Sequence, residues 1–284
     1  MTEVPAKVGV IGGGRMGAGI AQVFLAAGAR VALVEAGGAA AEAAHARVAA
    51  GLDAAARRGK LGADVEVVLG RLTLLESVTD LTEETGLVVE AVPERADLKA
   101  EVLRAAESAV GPDTVLATNT SSLSVTELGA VLERPARFLG LHFFNPVPAS
   151  ALVEVVVAPG TGDALVGTAT GWVRALGKTA VVVRDSPGFA SSRLGVLLGL
   201  EAIRMLEEGV ADAEAIDTAM ELGYRHPMGP LRSTDLVGLD VRLAIAEYLH
   251  RTLGERFAPP QLLRDKVAAG ELGRKTGRGF HTYP

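Results

Sequence analysis

Up to residue 183 the sequence alternates short β-branched runs with alanine-rich stretches of helical period, and after Arg184-Asp185-Ser186-Pro187-Gly188 the β-branched runs stop. Such alternation predicts parallel strands joined by crossover helices, and so a sheet covered on both faces. Strands are expected over 7–11, 30–35, 87–91, 115–118, 138–142, 152–157 and 179–183, with helices over 16–27, 39–58, 96–109 and 163–175. Beyond the break, successive helical patterns are separated by Gly and Pro. With 284 residues, about twice the ~150 typical of one domain, two cores are expected. Their boundary is placed between 184 and 185. Leu194, Leu197, Leu198, Ala202, Met205 and Leu206 recur at i, i+3, i+4 spacing, which gives the first helix of the second domain a broad apolar stripe. A helical domain this small with so many apolar positions is expected to bury some of them against a second copy of the chain.

Gly12-Gly13-Gly14-Arg15-Met16-Gly17 follows the apolar run VGVI and opens the helical stretch MGAGIAQVFLAAG. Glycine at 12, 14 and 17 permits a tight turn, close approach of backbone N–H groups to a pyrophosphate, and close packing of helix on strand. Arg15 and Met16, which stand within this fingerprint, are expected with its glycines to bind the cofactor. The next expected strand ends on Glu35, 18 residues past Gly17, where a carboxylate accepts from a ribose 2′-hydroxyl and repels a 2′-phosphate. The first domain, residues 1–184, is therefore expected to be a Rossmann-type, mostly parallel α/β domain that binds NAD. Residues 185–284 are expected to form an all-α domain.

Composition narrows the rest. Twenty-eight Lys+Arg against 34 Asp+Glu leave a net charge of −6, which argues against a nucleic-acid partner. The absence of cysteine removes disulfides, thiolate catalysis and cysteine-ligated metals. Five histidines at no HxxxH or HExxH spacing lead to the expectation of no metal. No leader pattern and no apolar run of membrane-spanning length occur, so the chain is expected to start at Met1 and to work in the cytoplasm, away from membranes.

In an open parallel sheet, ligands lie beyond the carboxyl ends of the strands. The polar residues there are Pro93-Glu94, Asn119-Thr120-Ser121-Ser122, and His142 followed by Phe143-Phe144-Asn145-Pro146. Glu154 interrupts LVEVVV, where a sandwiched strand would carry valine, and a buried carboxylate calls for a partner. His142 is the nearest candidate in sequence. If His142 removed a proton during oxidation of an alcohol, Glu154 would stabilise the imidazolium. Read from spacing alone, His142 could equally be a hydrogen-bonded structural residue, Glu154 a helix cap and residues 119–122 an N-cap.

Taken together, Gly12-Gly13-Gly14-Arg15-Met16-Gly17, Glu90-Ala91-Val92-Pro93-Glu94, Asn119-Thr120-Ser121-Ser122, Gly140-Leu141-His142-Phe143-Phe144-Asn145-Pro146, Leu152-Val153-Glu154, Asp185-Ser186-Pro187-Gly188-Phe189, His226-Pro227-Met228-Gly229-Pro230 and Lys275-Thr276-Gly277-Arg278-Gly279-Phe280 resemble the L-3-hydroxyacyl-CoA dehydrogenase family, over the whole length and in order. The resemblance implies transfer of a hydride between the 3-hydroxyl carbon of a 3-hydroxyacyl-CoA and NAD, with a helical domain that dimerises and closes the cleft. It implies His142 as general base, Glu154 as its orienting partner and Ser121 on the reacting oxygen. It also implies that Glu94, Lys99, Asn145 and Lys275 line the NAD site, and that Lys60, in the cluster Arg57-Arg58-Gly59-Lys60, meets CoA phosphate. Two positions depart from the family pattern. Ser192 stands where an asparagine helps hold the substrate, and Ala151 stands where a lysine is usual, which bears on substrate range more than on reaction type. Two alternatives remain at this stage: an NAD-dependent dehydrogenase of a free hydroxy or sugar acid, and a non-catalytic NAD-binding protein.

Overall fold

The computed structural model describes residues 3–284, so the expected start at Met1 lies outside the described residues. The chain divides into two compact units, residues 1–185 and 186–284. The first is a Rossmann-like sheet domain and the second is helical throughout.

The first unit runs β1 (Lys7–Ile11), α1 (Arg15–Ala26), β2 (Arg30–Val34), α2 (Gly38–Arg57), α3 (Val65–Leu69), β3 (Leu72–Leu75), β4 (Leu87–Glu90), α4 (Ala96–Ala109), β5 (Val115–Thr118), α5 (Val125–Gly129), β6 (Phe138–Phe143), β7 (Leu152–Val157), α6 (Asp163–Ala175) and β8 (Thr179–Arg184). The sheet order is β3-β2-β1-β4-β5-β6-β7-β8. All neighbours are parallel except β6 and β7, which are antiparallel and set Gly140, Leu141, His142 and Phe143 opposite Val156, Val155, Glu154 and Val153. The reversal follows from the short connection of residues 144–151, which has no room for a crossover helix. Central strands β1, β4, β5 and β6 are buried along nearly their whole length, as two-sided coverage by helices requires.

One strand escaped the sequence reading. β3 is an edge strand of four mostly half-buried residues, too short to show a period and held by pairing with β2. The second unit comprises α7 (Ser191–Glu207), α8 (Ala213–Gly223), α9 (Pro230–Val237), α10 (Leu239–Leu253) and α11 (Gln261–Ala268). Here the expected apolar stripe of α7 needs correction. The core face is Val196, Leu200, Ala202 and Ile203, whereas Leu194 is 68% exposed and Leu197 also faces solvent. The helix carries two apolar faces, and hydrophobicity alone does not say which one the unit's own core takes. No described helix is long and apolar enough to cross a membrane.

Candidate active site

The turn after β1 is built by sterics. Gly12 has φ +99°, and a Cβ on it would lie 2.8 Å from the Ala91 carbonyl oxygen; a Cβ on Gly17 would fall 1.8 Å from the carbonyl oxygen of Gly12. Loop and α1 therefore touch backbone to backbone, as the spacing predicts. Gly14, the N-cap of α1, is different: a Cβ there meets nothing within 4 Å, so the loop presents an open side at the helix N-terminus. Arg15 and Met16 begin α1. Glu35, just past β2, accepts the backbone N–H of Gly13, which sets its carboxylate at the crest of the loop. An open glycine cradle, a helix N-terminus and a carboxylate at the end of the second strand fit NAD. Sequence reasoning missed Arg47 of α2, whose Nη1 donates to the Gly13 carbonyl at 3.0 Å; only tertiary packing brings it to the loop.

At the ends of β4 and β5 lies a network of charges. Lys99 of α4 is fully buried, and its ammonium lies 2.7 Å from Glu90 Oε1 and 3.4 Å from Glu94 Oε2. Glu90, also fully buried, accepts in addition from Thr118 Oγ1 at 2.6 Å and from the Val92 N–H at 2.7 Å. Glu94 Oε1 accepts from Thr120 Oγ1 (2.5 Å), from the N–H groups of Ser121 (3.0 Å) and Ser122 (3.1 Å), and from Ser122 Oγ (3.1 Å). Burial opposes ionisation of Glu94, but the Lys99 charge and these donors outweigh it and hold the carboxyl below its ordinary range. Lys99 thus reaches the site through Glu94. Thr118 was visible in the sequence only as a strand residue, and Glu90 only as a strand residue and the first member of one family motif.

The β6–β7 register brings His142 and Glu154 face to face. Glu154 is 1% exposed, and its Oε2 lies 2.8 Å from His142 Nδ1. A carboxylate only accepts, so Nδ1–H donates and Nε2 is left as the acceptor. Ser121 Oγ stands 3.1 Å from that Nε2. The Phe144 ring packs on the imidazole at a centroid distance of 4.4 Å. Asn119 Oδ1 accepts the Phe143 N–H at 2.9 Å and so ties the β5 loop to the end of β6. Residues 119–122 do not cap α5, whose N-cap is Ser124, accepting from the Glu127 N–H. Asn145 is exposed two residues beyond Phe143.

The other expected residues stand on other elements of the chain. Arg57 and Lys60 are exposed at the carboxyl end of α2. Ser192 is half-buried in the first turn of α7, and Lys275 is bound to Asp240 (2.5 and 2.6 Å). Both belong to the second unit. Among the described residues no cluster of His, Asp and Glu fit to hold a metal occurs.

Comparison with known proteins gives the family. Residues 7–186 match the family description "3-hydroxyacyl-CoA dehydrogenase, NAD binding domain", and residues 188–283 match "3-hydroxyacyl-CoA dehydrogenase, C-terminal domain". The chain belongs to the 3-hydroxyacyl-CoA dehydrogenase family. A probable 3-hydroxybutyryl-CoA dehydrogenase of Bacillus subtilis is 42% identical over 279 residues, 98% of this chain and 97% of that one. The 3-hydroxybutyryl-CoA dehydrogenase of Mycobacterium tuberculosis is 42% identical over 287 residues and the full length of both chains. Among solved structures, an (S)-3-hydroxybutyryl-CoA dehydrogenase from Ralstonia eutropha superposes with a TM-score of 0.93 at 42% identity, covering 98% of this chain and 99% of that one. As a 3-hydroxyacyl-CoA dehydrogenase, the chain is an NAD-dependent oxidoreductase that transfers hydride between the 3-hydroxyl carbon of a 3-hydroxyacyl-CoA and NAD.

Proposed function

We propose that the protein interconverts the 3-hydroxyl and 3-oxo forms of a short or medium acyl-CoA, with His142 exchanging the hydroxyl proton. The single observation that carries this reading is the chain Glu154–His142–Ser121, with contacts of 2.8 and 3.1 Å on the two ring nitrogens. Nε2 accepts the proton of the alcohol, Ser121 Oγ hydrogen-bonds the same oxygen, and Glu154 compensates the charge that arrives on the ring. Bound NAD supplies the hydride acceptor. The open side at Gly14 and the N–H groups that follow it receive the pyrophosphate, and Glu35 takes the ribose. Glu94 and Asn145 line the same end of the sheet, and Lys99 positions Glu94 from below.

Arg57 and Lys60 suit the phosphates of CoA, being exposed cations with no ion-pair partner among the described residues. Ser192 and Lys275 are assigned to substrate and cofactor on the family resemblance. The second unit, taken as 185–284, holds substrate and joins two copies: Leu194, Leu197, Leu236, Val237 and Val241 are exposed apolar residues on its helices α7, α9 and α10. A cytoplasmic location accords with the lack of cysteine.

The test follows NADH formation with 3-hydroxyacyl-CoA esters of graded length, comparing wild type with His142→Gln. General acid–base assistance is worth roughly 10²–10⁴-fold in kcat. A loss of that size at unchanged NAD affinity is expected; an unaltered kcat removes His142 from the reaction.

A further inference from the structure

Three cations stand side by side at the amino ends of β1, β2 and β3, the end of the sheet away from the glycine loop. Lys7 and Arg30 are register partners at the starts of β1 and β2. Arg71, the residue before β3, gives its carbonyl to the Val31 N–H at 3.0 Å and so continues the row past Arg30. Neighbouring strands lie about 4.8 Å apart, and like charges at opposed positions repel each other. Arg30 and Arg71 have no ion-pair partner among the described residues. Lys7 donates to Thr82 Oγ1 at 2.6 Å and lies 3.8 Å from Glu84, whose side chain is 83% exposed and so screens it little. In a chain of net charge −6, this row of positive charge repels itself until an anion joins it.

The row borders a cavity of about 300 Å³, at the small end of the range for ligand sites. Strand alternation sets Ala32 and Leu75 on the same sheet face as the three cations, and with Leu81 they give the cavity an apolar wall. Thr85 also lines it. That residue is 2% exposed, and its Oγ1 has no hydrogen-bond partner among the described residues. A buried hydroxyl left without a partner is unfavourable, and an anion's oxygen supplies the acceptor. Asp80 is the acid in the lining, and it already accepts the Ser77 N–H at 3.1 Å. We propose that this cavity binds a small phosphomonoester, with the phosphoryl oxygens on Lys7, Arg30 and Arg71 and a compact apolar group on Ala32, Leu75 and Leu81. Guanidinium forks match phosphate oxygens two at a time. The site is separate from the nucleotide turn, because five steps of about 3.3 Å along β1, roughly 16 Å, divide Lys7 from Gly12. Phosphates of the CoA substrate are the other source of the same chemistry, and the experiment tells the two apart.

Calorimetry follows phenyl phosphate and inorganic phosphate titrated into the full-length enzyme saturated with NAD, so that the glycine loop is already occupied. Wild type is compared with Arg30→Gln, Arg71→Gln and the double variant. Neither side chain is buried, so the variants should fold, which their melting temperatures check. Phenyl phosphate is expected to bind wild type at one site per chain, about tenfold more weakly after either substitution and about 100-fold more weakly after both, in line with the worth of hydrogen bonds to charged groups. Inorganic phosphate, which lacks the apolar group, is expected to bind the same site about tenfold more weakly than the phenyl ester. With 3-hydroxybutyryl-CoA and NAD, kcat and KM of all three variants should stay within about twofold of wild type. No binding of phenyl phosphate, or equal affinity in wild type and the double variant, overturns the inference. A KM for the CoA ester raised about tenfold or more at unchanged kcat assigns the row to the substrate's phosphates and overturns it as well.

Discussion

Glu154→Gln isolates the charge of the buried carboxylate while keeping its shape. In the folded protein Glu154 Oε2 and His142 Nδ1 are 2.8 Å apart, which puts the centres of a carboxylate and an imidazolium about 4 Å from each other. At an effective dielectric near 20 that pair is worth roughly 4 kcal/mol. If half of the positive charge has reached the ring in the transition state, the loss is about 2 kcal/mol, or roughly 30-fold in kcat; full transfer gives about 1,000-fold. The range expected for Glu154→Gln is therefore about 30–1,000-fold, seen as slower NADH formation at saturating 3-hydroxybutyryl-CoA and NAD. The KM for NAD should stay within about twofold, because the loss arises in the transition state. Folding should survive, since glutamine fills the same volume in β7. A folded variant with kcat within threefold of wild type shows that the carboxylate only packs, and the charge argument fails.

Three further perturbations probe other parts of the molecule. Because the Glu94 carboxyl is held below its ordinary value of 4.5, its contribution to stability is present above that pH and disappears as pH falls through the lowered value. The urea midpoint of Glu94→Gln should therefore lie below wild type at neutral pH and converge with it in acid; a gap that widens in acid contradicts the sign. Gly17→Ala forces a Cβ to 1.8 Å from the Gly12 carbonyl oxygen and should cost about 3 kcal/mol, whereas Gly14→Ala meets nothing and should keep the wild-type Tm while raising the Kd for NAD about tenfold. Equal melting temperatures for the two alanine variants, read by thermal denaturation with and without NAD, speak against the cradle. In the helical unit, buried Asp235 accepts the N–H groups of Phe280 and His281 (both 2.9 Å) and the Tyr283 hydroxyl (3.0 Å). Asp235→Ala should lower stability by about 3 kcal/mol and expose the C-terminal segment to proteolysis; an unchanged urea midpoint and cleavage rate rule out this clamp.

Much of the first unit was legible because its signals are local. A strand buried on both faces must be apolar along its length, and a loop that touches a helix backbone to backbone must carry glycine, so β1, β4, β5, β6 and the nucleotide turn stand out in the sequence alone. Glu154 was conspicuous for the same reason, a carboxylate where the period demands valine. Edge strand β3 left no such mark, since pairing with β2 and not its own pattern defines it.

What the sequence could not decide is how residues distant along the chain meet. Twelve residues separate His142 from Glu154, and only the reversed direction of β7 turns that separation into a direct cross-strand pair. The burial of Lys99 between Glu90 and Glu94, the reach of Arg47 to the Gly13 carbonyl, and the choice between two apolar faces of α7 are likewise properties of packing. Sequence period reports which residues avoid water; the energies of a buried charge and its partner depend on distance and desolvation, and these exist only once the chain has folded.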